Sequence, residues 1–190
     1  MILYGIILNM GEISLDDAIK NNGLTQLDSI YIIIERNNYE LKLFNNSTLI
    51  KTYKAIFGKN NSMVKTSSKD YVTPIGNYKI CNIKENSKYH KFFQLDYPNK
   101  NDAAEGFKRD YINEQEYKSI ISSLDSNNCP YAKTKLGADI GIQGIGEYNF
   151  IFKNLPFTYN WTNGSIAISN EDIDELYRVV KIGTVVVINY

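Results

Sequence analysis

Trp161-Thr162-Asn163-Gly164-Ser165-Ile166-Ala167, read together with Gln143-Gly144 upstream, is the stretch that decides how this chain folds. Five further segments stand around it. They are Thr73-Pro74-Ile75-Gly76-Asn77-Tyr78; Tyr97-Pro98-Asn99 with Asp102-Ala103; Leu136 through Gly144; Asn170-Glu171-Asp172-Ile173-Asp174-Glu175-Leu176; and Gly183-Thr184-Val185-Val186-Val187-Ile188. Each segment alone is a weak signal. Their conjunction in one order, from about Ser29 to the C-terminus, is a strong one for fold. It divides the chain into an N-terminal arm with a short helix (residues 1–28) and one domain (residues 29–190).

With 190 residues, 43% of them hydrophobic, the chain is long enough for one well-buried core. Its 21 basic residues balance 21 acidic ones, and no nucleic-acid-binding signature is present, so no nucleic-acid partner is expected. Lys51, Lys54, Lys59, Lys65 and Lys69 are diluted by polar residues and read as a solvated face. Cys81 and Cys129 have no metal-ligand spacing, and with a single histidine (His90) no metal and no organic cofactor is implied. Cys81 reads as a packed thiol on a strand, and a pairing with Cys129 requires an oxidising compartment. Met1 through Met10 is apolar, yet too short to span a bilayer, and it lacks a basic start and a small-residue cleavage site. It reads as a degraded export signal or, preferably, as a strand or arm packed on the domain. No stable membrane span is expected, and the sequence does not address oligomeric state.

Three strands are expected between Ser29 and Phe57, broken at Asn37-Asn38 and Asn45-Asn46-Ser47, where asparagine tolerates positive φ. A short helix starts behind Ser14 and stops at Gly23. A second follows Asn113, with Tyr117, Ile120, Ile121 and Leu124 on one face. A third begins at Asn170, its early acids at the positive end of the helix dipole and its stripe Ile173, Leu176, Tyr177 and Val180. Lys59 to Tyr71 reads as an exposed loop. Many short strands and few helices predict a mainly β architecture of two packed sheets.

The quoted segments resemble the catalytic domain of the L,D-transpeptidase (YkuD-like) family. Thr73 to Tyr78 is similar to its TPxGxF/Y segment, and Tyr97 to Ala103 to the YPNxxDA segment of one branch. The family carries a His-Gly pair at a strand end and, further on, a Ser/Thr-x-Gly-Cys turn before an aliphatic residue. The order and flanking glycines match. The reactive positions do not: Gln143 stands at the histidine and Ser165 at the cysteine. The resemblance implies a β-sandwich with a few short helices and a capping loop.

It also implies a chemistry. A thiolate attacks the stem-peptide carbonyl of peptidoglycan, the histidine moves protons, and backbone N–H groups of the turn hold the oxyanion. Carried over, Ser165 is the nucleophile position, Gln143 the base position and Gly164 the oxyanion backbone. Gly144, Trp161, Thr162, Asn163 and Tyr97 are the expected substrate contacts. A serine hydroxyl needs a base to react, and an amide is none. His90 reads as a surface or supporting histidine, Lys108 and Arg109 as solvated cations, and Asp139 as too far along its strand for a base. Tyr148, Phe150, Phe152, Phe157 and Tyr159 read either as a substrate lid or as packing over the mouth.

Three functional readings follow. The first is a catalytically degenerate domain that binds a stem peptide or another ligand in its cleft. The second is an active enzyme, or a deliberately inactivated one, forming an acyl-enzyme at position 165; engineering explains Ser165 but not Gln143. The third is a structural or regulatory protein with an unused cleft. The family works outside the cytoplasmic membrane, whereas the N-terminus offers no convincing export signal, so a cytoplasmic location stays open.

Overall fold

Asparagine-rich turns cut the first third of the domain into a meander. In the computed structural model, which describes residues 12–130, 133–154 and 159–190 (side chains 86 and 87 excepted), β1 (Ile30–Glu35), β2 (Glu40–Asn45) and β3 (Thr48–Lys54) pair antiparallel in sequence. Asn46 takes the positive φ expected at the second turn; at the first, Tyr39 takes it instead of Asn37 or Asn38. Inward residues alternate, so Ile32, Ile34, Leu41 and Leu43 are fully buried.

Among the described residues the fold is mainly β, with five short α-helices, and its strands join in one mixed sheet rather than two separate ones. The strand order is β3-β2-β1-β8-β4-β5-β6-β7. The last strand, β8 (Val185–Asn189), runs parallel to β1 and antiparallel to β4 (Gly76–Ser87). The long β4 belongs to both halves. Its first residues pair with β8, and the remainder with β5 (His90–Leu95) through two register irregularities. Such irregularities bend a strand, which lets one sheet wrap its own core. Two short strands finish the sheet: β6 (Gly141–Gly144), antiparallel to β5, and β7 (Ile166–Ile168), parallel to β6. Just past β3, Ile56 and Ala167 of β7 exchange two 2.9 Å backbone hydrogen bonds, tying the two edges of the sheet together.

Helix α1 (Leu15–Asn21) has the expected Ser14 cap, and Gly23 closes it with a paired backbone motif, its N–H on Lys20 and that of Leu24 on Ile19. Leu15 and Ala18 of α1 and Ile173 and Leu176 of α5 (Asn170–Tyr177) cover the main core. A capping box of Asn99 and Asp102 starts α2 (Lys100–Lys108), a helix the sequence reading did not assign; another, of Asn113 and Glu116, starts α3 (Glu114–Asp125). These two helices form a satellite core of Ala103, Ile112, Ile120 and Leu136, with the Phe107 and Tyr117 rings stacked at 5.3 Å. Cys129, after α3, is disulfide-bonded to Cys81 on β4, with a Cα–Cα distance of 5.4 Å.

The loop after β3 is held from inside. The buried Arg36 guanidinium donates to the carbonyls of Ser62 (3.1 Å) and Thr73 (3.0 Å) and to Asn61 Oδ1 (3.0 Å). Asp70 accepts from the N–H groups of Thr66, Ser67 and Val72 and from Lys65 Nζ. Among the described residues no helix is long and apolar enough to cross a membrane. Met1 to Met10 lie outside the described residues.

Candidate active-site cleft

Strand register builds the cleft floor. Lys84 of β4 sits opposite Phe92 of β5, Phe92 opposite Gln143 of β6, Gln143 opposite Ala167 of β7, and Ala167 opposite Ile56. Residues so aligned share one face of a sheet. Ile142 and Ile166 project to the other face, into the main core. Over this row lies a cleft of about 530 Å³, lined by Lys59, Lys84, Lys88, Tyr89, Phe92, Asp139, Gln143, Trp161, Thr162, Asn163 and Ser165. The structure therefore brings together Gln143, Ser165, Trp161, Thr162 and Asn163.

The turn that presents Ser165 is closed by Thr162. Its buried hydroxyl donates to the Ser165 carbonyl (2.6 Å) and accepts from the Gly164 N–H (3.2 Å). Its backbone is paired with the segment after β3: Thr162 N donates to Phe57 O, and Lys59 N to Thr162 O, both 3.1 Å. Thr162 thus shapes the turn rather than offering its hydroxyl to a ligand, and the Gly164 N–H expected at an oxyanion is already engaged. Gly164 itself has φ +119°, and a Cβ there would lie 2.8 Å from Val72 O and 2.9 Å from Ile140 Cδ1. Only glycine fits without displacing the loop.

Gln143 is 5% exposed, and among the described residues its amide has no hydrogen-bond partner. Gly144, next along, packs where a Cβ would meet Tyr89 O at 2.6 Å and Asn170 Oδ1 at 2.8 Å, so it supports the wall behind the cleft. Trp161 packs on Ile56, Ile145, Ala167 and Phe152, and its ring centroid lies 6.4 Å from that of Tyr89.

Tyr97 corrects the sequence expectation. It is buried, with its ring edge-on to Tyr78 and its hydroxyl donating to Leu136 O, beside a separate cavity of about 200 Å³. Burial pushes its phenol well above the usual range. The motif around it serves the sheet–helix joint, not the cleft. Arg109 lines that same separate cavity, and Lys108 and Arg109 both pair with Glu105.

His90 is half-buried outside the cleft, with Nε2 2.8 Å from Asp174 Oδ1. Asp139 does reach the cleft, at φ +57°, and accepts from Gln94 Nε2 at 3.0 Å. Of the aromatic stretch, Tyr148, Phe150 and Tyr159 are exposed, and Phe152, on α4 (Asn149–Asn154), packs inward against Trp161. Phe157 lies outside the described residues. Sequence reasoning missed Lys59, Lys84, Lys88, Tyr89 and Phe92. No residue motif marks them; only the register across β4, β5 and β6 gathers them. Among the described residues no cluster of histidine, cysteine, aspartate and glutamate has the makings of a metal site.

A bent mixed sheet with a glycine turn opening onto such a cleft defines the class. Residues 29–188 match the L,D-transpeptidase catalytic domain (YkuD), and the chain belongs to that family. Among solved structures it is similar to Bdellovibrio bacteriovorus Bd1075, at 20% identity and a TM-score of 0.52, over 86% of this chain and 48% of that one. It is also similar to the helical cell shape determining protein Pgp2 from Campylobacter jejuni, at 15% identity and a TM-score of 0.50, over 93% and 55%. The chain thus spans about half the length of either protein, and at these identities the likeness is one of fold. No curated protein sequence matches it.

Proposed function

We propose that this chain is a catalytically silent L,D-transpeptidase-like domain of peptidoglycan metabolism that holds a stem peptide, uncleaved, in the retained cleft. The observation that carries the reading is Gln143. Its side chain is mostly buried, yet its amide opens on the cleft and bonds to no described protein group. A ligand peptide group offset against it supplies what is missing, because a primary amide donates and accepts at once. The same amide takes up no proton near neutral pH, so Ser165 has no base where the family has histidine. His90 is engaged by Asp174, outside the cleft. The Cys81–Cys129 pairing supports an oxidising, extracytoplasmic setting.

A second reading draws on Asp139 and Lys59, which line the same cleft as Ser165: acyl transfer through Ser165 with one of them as base. Turnover of disaccharide-tetrapeptide muropeptides, read by mass spectrometry, separates the two. Binding without product from the native chain, with product from the Ser165→Cys/Gln143→His variant, is the expected result. Cross-linked dimer or trimmed tripeptide from the native chain would overturn the silent-domain reading and install the second.

A further inference from the structure

We propose that the cleft selects a short peptide bearing at least two free carboxylates, gripped from opposite sides by Lys59 and by Lys84 with Lys88. The inference rests on the stem-peptide reading and adds what that reading leaves open, the charge of the peptide recognised.

The sheet order places the cations. Lys84 lies on β4 and Lys88 in the β4–β5 hairpin; Lys59 follows the segment that bridges to β7 at the far edge. Gln143 and Ser165 lie between them, so a ligand seated on Gln143 has ammonium groups on both sides. Four strand spacings separate the Lys84 strand from the Lys59 segment, roughly 19 Å, the length of five to six extended residues at most. The long lysine side chains reach inward from both walls and shorten that span, so a peptide of four or five residues reaches both ammonium groups.

The charges are available for a ligand. Among the described residues Lys59, Lys84 and Lys88 form no ion pair, whereas Lys51, Lys65, Lys91 and Lys100 each do. Their ammonium groups lie over the rings of Tyr71 (5.1 Å), Phe92 (5.6 Å) and Tyr89 (5.4 Å), contacts that steer the chains along the cleft walls without neutralising them. Among the described lining residues Asp139 is the one carboxylate, and Gln94 holds it. Three cations against one anion, around a cleft whose floor presents the Gln143 amide, select for negative charge.

Trp161 is the only tryptophan of the chain and lines the cleft, so its fluorescence reports occupancy directly. The probes are synthetic L-alanyl-γ-D-glutamyl-L-lysyl-D-alanine, which carries two carboxylates, and the same peptide with both amidated. The acid form is expected to bind roughly tenfold tighter than the diamide, and the preference to shrink as salt rises from about 50 to about 500 mM. Lys59→Gln and Lys84→Gln/Lys88→Gln are each expected to reduce that preference, the ratio of acid to diamide affinity, roughly threefold. Equal binding of acid and diamide, or preference intact in the lysine variants, would overturn the inference and leave the stem-peptide reading standing. If the acid tetrapeptide does not bind and a penta-γ-glutamate does, carboxylate selection stands and the stem-peptide reading falls. Binding of neither overturns both.

Discussion

Breaking the Cys81–Cys129 bond, by Cys81→Ser/Cys129→Ser or by reductant, tests how the satellite helices are attached. The bond spans 48 positions of sequence and encloses β5, α2 and α3. Closing a loop of that length removes about 4 kcal/mol of unfolded-state chain entropy at 25 °C. The packing argues that this figure is felt by the whole domain. Tyr97 of the main core donates to Leu136 O of the α2–α3 cluster, so helices and sheet are joined and are expected to unfold together. Urea unfolding, followed by Trp161 fluorescence and by circular dichroism, is the assay. With a slope of about 2 kcal/mol/M, the midpoint is expected to fall by roughly 2 M and the two probes to remain coincident. A fall below about 0.3 M would refute the entropic reasoning. A full loss of helical signal ahead of the tryptophan transition would show instead that the helices open as a local unit, the bond acting as a tether and not as a global constraint.

Gly164→Ala places a Cβ 2.8 Å from Val72 O at φ +119° and is expected to cost about 2–4 kcal/mol, read from the same urea midpoints; an unchanged midpoint would mean the turn is soft. Burial pushes the carboxyls of Asp102 and Asp172 up to about 6, above their unfolded values, so their protonated forms favour the folded state. That contribution is complete below about pH 4 and is lost as pH rises through 6. Asp70 works the other way. Burial pushes its carboxyl up, but Lys65 and three backbone N–H groups pull it below the usual range, so its contribution fades only as pH falls below about 4. Stability is therefore expected to rise on going from pH 7 to about pH 5, and Asp102→Asn with Asp172→Asn to flatten that limb; a flat native profile would contradict it. Gln143→Leu removes an amide that opens on the cleft and is expected to shift stability by less than about 0.5 kcal/mol while abolishing peptide binding. Retained binding would show that the amide does not face the ligand.

Much of this fold is written locally. The caps Ser14 and Asn113, the stripe Ile173–Leu176, and the asparagine breaks between β1, β2 and β3 are short-range signals that read correctly. The Asn99–Asp102 capping box is equally local, and its residues are the same ones that resemble the YPNxxDA segment. Tyr97 begins that segment and read incorrectly. A motif tyrosine looks like a contact residue, yet nothing in its neighbourhood says which side of the sheet it takes, and it takes the buried one. The single continuous sheet and the lysine-lined cleft depend on long-range register. Lys84, Phe92, Gln143 and Ala167 are dispersed over 84 positions and meet only through three strand pairings. No window of sequence contains that information. Lys59 illustrates it best: by composition it belongs to a solvated face with Lys51 and Lys65, yet the Ile56–Ala167 bridge carries it to the cleft.

The energetics of position 143 bear on whether the cleft is used. Gln143 is 5% exposed, yet its amide atoms open on the cleft, where water or a ligand can meet them, so the floor stays polar at little cost to the fold. Around Gln143 the apolar alternatives are at hand. Phe92 is beside it on β5 and Ala167 on β7, and a leucine would extend their surface. A cleft emptied of function has no reason to resist that exchange, nor to keep Gly164 in a conformation closed to every other residue, nor to set three cations against one carboxylate, Asp139, among its described lining residues. The three features converge on one volume. In the reading proposed here, a bound peptide meets Gln143 with its amide and the lysines with its carboxylates, and the absence of thiol and imidazole from positions 165 and 143 leaves recognition without chemistry.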